Sequence, residues 1–176
     1  MRFNLVDRLL DFEPGKRIRM AKNLTLAEEY LADHFPTFPV MPGVLMLQTL
    51  VEAGAWLLRL TDDYRHSVIV LRGARNVKYG NFMQPGFSLV VSAEMAAASP
   101  EAPEVEFKGK GEMDGAATGS VTALSAKFTL ARYNLRDRDP ALEKVDKRIV
   151  DHLRALHLVL TGSVMSGSVA KGASCV

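Results

Sequence analysis

The chain has 176 residues, of which 48% are hydrophobic and 24% charged, with 22 Lys and Arg against 20 Asp and Glu. This suits one globular domain with its own core, and a formal charge of +2 without a dense basic cluster and interleaved aromatics argues against a nucleic-acid binder. The one cysteine, Cys175, excludes an intramolecular disulfide and a cysteine-built zinc site, and is expected to reside in a reducing cytoplasm.

Near the N-terminus, Arg2, Asp7, Arg8, Asp11 and Glu13 leave no room for the apolar core of a signal peptide. Leu5 to Glu13 and Lys16 to Asn23 flank Pro14-Gly15, a turn pair, and Ile18, Met20 and Lys22 alternate with Arg17, Arg19 and Ala21. An antiparallel hairpin is expected. Thr25 is placed to cap a short helix running to Glu29, with Glu28 in capping-box position.

The next stretch reads His34-Phe35-Pro36-Thr37-Phe38-Pro39-Val40-Met41-Pro42-Gly43, and three prolines in seven residues make it a stiff loop, neither helix nor central strand. From Val44 to Leu60 the chain is apolar nearly all round, through Leu47, Leu50, Val51, Gly54, Trp56 and Leu57, which predicts a buried helix. Gln48, Glu52 and Arg59 interrupt this run and make it a poor membrane span.

Beyond Ser67 the character is β. Strands are expected over Val68 to Leu71, Ala74 to Tyr79, Ser88 to Met95, Val105 to Gly111 and Val121 to Tyr133. Pro85-Gly86 and Asp114-Gly115 read as turns, and Ala97 to Pro103 as a loop. One buried helix followed by antiparallel strands is an α+β arrangement. After Asp139-Pro140, the residues Leu142, Val145, Ile149, Leu153, Leu156 and Leu160 form one apolar stripe, so a helix over 139–160 is expected to lie on the sheet or against a neighbouring chain. Residues 161–176 read as a loose Gly/Ser-rich tail.

The segment His34 to Gly43, followed by a buried helix, resembles the signature of the beta-hydroxyacyl-acyl-carrier-protein dehydratases: His-Phe-Pro, a spacer, Pro, two apolar residues, Pro-Gly. Leu5-Val6-Asp7-Arg8 with Glu13-Pro14-Gly15-Lys16 resembles the family's opening hairpin, and Lys22-Asn23-Leu24-Thr25 the end of its second strand. Asn76-Val77-Lys78-Tyr79 with Pro85-Gly86 resembles the strand and turn that line its acyl tunnel. The resemblance runs from about Arg2 to Tyr133 and implies a hot-dog domain over residues 1–136, an antiparallel sheet wrapped around one long helix. It further implies a homodimer, often a trimer of dimers, with active sites at the dimer interface. The substrate would be an acyl thioester on acyl carrier protein or coenzyme A, with neither metal nor redox cofactor.

Dehydration needs a base for the proton beside the thioester carbonyl, an acid for the 3-hydroxyl, and a donor that polarises the carbonyl. His34 suits the base, since imidazole changes charge near neutral pH. Gly43, at the expected helix start, offers a free backbone N–H for the thioester oxygen, assisted by the helix dipole. By the resemblance, that glycine is the carbonyl donor and the Val40 backbone orients the histidine. The family's Asp or Glu, fourteen residues after the histidine, is replaced here by Gln48, which cannot give up a proton as a general acid. Glu52, four residues on, shares a helix face with Gln48 and is placed to reach back toward it, or to sit in a polar patch without chemistry. Phe82 and Met83 are candidate tunnel residues or ordinary loop packing. Three readings stay open: a 3-hydroxyacyl-thioester dehydratase of lipid biosynthesis, a non-catalytic acyl-binding or partner subunit, and a thioesterase.

Overall fold

A computed structural model describes residues 4–96, 102–114 and 119–162. β1 (Arg8–Glu13) and β2 (Arg17–Asn23) form the expected hairpin, with Gly15 at a positive φ of 70° in its turn. Helix α1 spans Gly43–Thr61. Strands β3 (Val68–Tyr79), β4 (Ser88–Met95), β5 (Glu104–Asp114) and β6 (Val121–Tyr133) follow, and helix α2 occupies Glu143–Leu160. All neighbouring strands are antiparallel, in the order β1-β2-β4-β5-β6-β3.

This six-stranded sheet curls around α1, which touches every strand from β2 to β6. It is the hot-dog arrangement. α1 is the one helix among the described residues long and apolar enough to cross a membrane, and its apolar surface is instead enclosed by the sheet, with Leu50, Ala53, Leu57 and Leu58 fully buried. The closest approach of helix to sheet is built from small residues. A Cβ added at Gly54 of α1 would stand 2.8 Å from the Phe128 ring, and one at Gly109 of β5 would stand 2.9 Å from the same ring. Phe107 stacks on Phe128 with centroids 5.2 Å apart.

Several expectations change in detail. Thr25 and Glu28 form no capping box. The Glu28 carboxylate is drawn 2.5 Å from buried Lys22, and the short helix is a 3-10 turn at Glu29–Leu31. Thr25 Oγ1 only accepts from Ala27 N–H, at 3.3 Å. The two strands expected over 68–79 are one, β3, interrupted by register shifts at Leu71/Gly73 and Arg75/Lys78. Asn76 at the second shift adopts a left-handed φ of 54°, the mark of a bulge.

The C-terminal helix packs against β1, Trp56 of α1 and the turn that follows α1. His157 packs between Trp56 and Tyr64, at centroid distances of 6.1 and 6.4 Å, and Arg154 stacks over Tyr64 while pairing with Asp63. Asp146 anchors the start of α2. Its carboxylate accepts from the Ser67 hydroxyl and from the amides of Leu135 and Arg136. Burial opposes its ionisation, but the Ser67 hydroxyl and those amides outweigh it and hold the pKa below the ordinary value. Most of the loop expected over Ala97 to Pro103, the glycine of Asp114-Gly115, and the tail beyond Gly162 with Cys175 lie outside the described residues.

Candidate active site

The proline-rich loop is fixed from both ends. His34 N–H donates to Tyr30 O at 3.0 Å, and Phe38 N–H closes a tight turn on Phe35 O at 2.8 Å. Phe35 has a left-handed φ of 51°, uncommon for an aromatic residue and strained before a proline. Such strain persists only where the surroundings over-determine it. Here Val40 and Met41 are buried, and Met41 N–H donates to Met83 O at 2.8 Å, tying the loop to the segment after β3. That segment is itself held to β6 by Gly80 N–H to Ala123 O and by the Asn81 side-chain amide to Thr122 O.

Loop, helix start and β3 end enclose a cavity of about 310 Å³. His34, Val40, Gly43 and Phe82 line it, together with Tyr79 from the end of β3 and Met46 one turn into α1. Half-buried His34 and the start of α1 therefore face the same space. Gly43 is the first residue of α1, so its N–H has no acceptor within the helix and carries the positive end of the dipole. Phe82 is 71% exposed and meets Phe38 edge-on at 5.9 Å, forming the cavity's rim. Met83 is fully buried and belongs to the core under the site.

Gln48 and Glu52 do not line this cavity. Gln48 follows Gly43 by five residues, which turns it roughly 140° around the helix axis at 3.6 residues per turn. It is exposed on the other side of α1. Glu52 accepts a hydrogen bond from the Gln48 side chain, so the four-residue pair does form. Its Oε2 also accepts from Leu5 N–H at 2.9 Å, which fastens the segment before β1 to the helix. Burial raises the Glu52 pKa, partly offset by the Leu5 amide, Arg59, Gln48 and Lys22. Arg59, over the Trp56 ring, is itself pushed down to about 10 by burial against the pull of Glu52.

Neither Tyr79 as an individual residue nor Met46 stands out in the sequence. Tyr79 had a signal only as the last residue of the strand compared with a tunnel wall. Its position beside Gly43 depends on pairing β3 with β6, which no local pattern encodes.

With the cavity placed, likeness to known proteins becomes informative. The model of the FabA-like domain family matches residues 1–121. The chain belongs to the FabA-like family. Among FabA-like relatives, the 3-hydroxyacyl-[acyl-carrier-protein] dehydratase FabZ of Ruminiclostridium cellulolyticum is 30% identical over 119 residues, covering 68% of this chain and 84% of that protein. FabZ of Wolbachia pipientis wMel is 37% identical over 93 residues, 53% of this chain and 65% of its own length. The chain therefore spans slightly under two thirds of that relative. Among solved structures, the dehydratase heterocomplex ApeI:P from Xenorhabdus doucetiae aligns with a TM-score of 0.59 at 11% identity, covering 80% of this chain and 90% of that one. The E. coli PaaI protein aligns with a TM-score of 0.51 at 9% identity, covering 70% and 77%. At such identities these structures speak for the fold alone. The FabA-like match ends at 121, the first residue of β6, so the rest of that strand and all of α2 lie beyond it.

Proposed function

We propose that this chain dehydrates 3-hydroxyacyl thioesters to trans-2-enoyl thioesters, with the acyl group carried on acyl carrier protein or coenzyme A. The observation that carries the reading is that an imidazole and a helix-start amide face one apolar cavity, as abstraction of a proton beside a thioester carbonyl requires. The FabZ relatives support the same chemistry by similarity.

His34 takes the proton from C2 while Gly43 N–H holds the thioester oxygen. The C2–C3 double bond forms as the C3–O bond breaks, and His34 returns its proton to the departing hydroxyl, so one water leaves and the residue is reset. This route needs no carboxylic acid and so tolerates Gln48. In the dimer, Gln48 of a second protomer completes the site from across the interface, its amide held in one orientation by Glu52. Two features favour such an interface. β3 is a long edge strand with Val70 and Leu71 exposed, and exposed Phe35, Phe38 and Val44 surround the cavity mouth. Unpaired apolar edges and patches of this kind are normally covered by a partner. The reaction is placed in the cytoplasm, consistent with a single cysteine.

A second reading, an acyl-binding or partner subunit without turnover, draws on the absence of any carboxylate among the described residues that line the cavity. One assay separates the two. Purified protein is given a 3-hydroxyacyl thioester while enoyl product and free thiol are followed. Enoyl formation that His34→Asn abolishes supports dehydration. Thiol release marks a thioesterase, and silence in both channels marks a binding protein.

A further inference from the structure

We propose that Tyr79 is a second hydrogen-bond donor to the thioester oxygen, its phenol and the Gly43 amide forming a two-donor pocket for the charge that develops there. The inference rests on the dehydratase reading above and assigns a further catalytic residue to it.

The aromatic ring of Tyr79 lies against the helix start. A Cβ added at Gly43 would stand 3.1 Å from both Cε1 and Cζ of Tyr79, the end of the ring that bears the hydroxyl. The phenolic oxygen is one C–O bond beyond Cζ, so it lies beside the first residue of α1. Both residues line the cavity that His34 faces. The residue is half exposed, at 50%, and it lines the cavity. No protein group among the described residues engages its hydroxyl. A half-exposed phenol beside a helix start is able to turn its O–H toward a ligand in the cavity.

The backbone supports this placement. The bulge between Arg75 and Lys78, with Asn76 left-handed, shifts the side-chain alternation of β3 immediately before Tyr79. A bulge re-aims the side chains that follow it. Tyr79 is then locked opposite Leu124, and Gly80 N–H donates to Ala123 O at 2.8 Å. A Cβ at Gly80 would meet Thr122 O at 2.7 Å, so only glycine lets the strand end approach β6 this closely. Gly43 thus has two roles: it leaves space for substrate and for the Tyr79 ring.

As His34 takes the C2 proton, electron density moves onto the thioester oxygen, and two fixed donors stabilise it better than one. The Gln48 of the same chain does not line this cavity and lends no such help.

The test uses the full-length protein and two readouts. Tyr79→Phe keeps the ring against Gly43 and removes only the hydroxyl. Loss of one such donor lowers kcat by about 10²- to 10³-fold with little change in KM. The bound enoyl thioester supplies an independent signature, because polarising its carbonyl shifts its ultraviolet absorbance to the red. That shift shrinks in Tyr79→Phe and is not expected to respond to a merely structural change that preserves packing. An unchanged kcat and an unchanged red shift in Tyr79→Phe, with wild type active, overturn the Tyr79 assignment and leave the dehydratase reading intact. Wild type that forms no enoyl product overturns both.

Discussion

Replacing Gly54 by alanine probes how the sheet seats the helix that carries the site. The added Cβ would lie 2.8 Å from Phe128 Cε2, 3.1 Å from Cζ and 3.2 Å from Leu130 Cδ1. Carbon contacts are comfortable from about 3.5 Å, so the Phe128 ring must retreat by roughly 0.7 Å. It has little room to do so. Gly109 stands against the other edge of the ring, and Phe107 is stacked on its face. Overpacking of this kind costs about 1–3 kcal/mol, while exchanging a helix-interior glycine for alanine returns about 1 kcal/mol. The net expectation is a loss of about 1 kcal/mol in the wild-type background. In a Phe128→Leu background the ring edge is gone, and Gly54→Ala should instead stabilise by up to about 1 kcal/mol. The two substitutions therefore couple by about 2 kcal/mol. Urea midpoints of the four proteins, taken at one protein concentration and with unchanged m-values, give this coupling directly. If Gly54→Ala stabilises the wild type, or shifts both backgrounds equally, the account of the helix–sheet distance is wrong.

Glu52→Gln keeps an acceptor for Leu5 N–H and removes a buried charge. Because burial raises the Glu52 pKa, the native state retains a proton that the unfolded chain releases, so the stability from this group is complete below the ordinary value of 4.5 and is lost as pH rises through the folded value. The variant should match or exceed wild type at pH 7 and gain less at pH 4, read from urea midpoints. A variant clearly less stable at pH 7 would show that Arg59 and Lys22 favour the charge more than burial opposes it. Asp146→Ala leaves the Leu135 and Arg136 amides and the Ser67 hydroxyl without their acceptor and should cost about 3 kcal/mol, with faster hydrogen exchange in α2 than in α1. Uniform exchange in both helices would contradict an anchoring role. Burial lowers the His157 pKa, so the native state binds fewer protons than the unfolded chain, and its contribution to stability falls away as pH drops below the ordinary 6.5. Fluorescence of Trp56, the chain's one tryptophan, should report α2 loosening in this acid range, and His157→Phe should remove the transition.

Much of this protein could be read locally. The prolines at 36, 39 and 42 dictate a loop that is neither helix nor strand, the apolar run after Gly43 dictates a buried helix, and alternation with Pro-Gly turns marks the strands. Each of these depends on residues within a few positions of one another, where backbone sterics and periodicity act. The tertiary structure decided what meets what. Tyr79 reaches Gly43 from 36 positions away because a bulge and the β3–β6 register aim it there. Glu52 fastens Leu5 to α1, and His157 and Arg154 of α2 meet Trp56, Asp63 and Tyr64 about a hundred positions earlier. Helical geometry turns Gln48 away from the cavity of its own chain, so His34 and Gln48 of one chain do not line the same space. Contacts of this kind are set by the packing of distant surfaces, and no local pattern carries them.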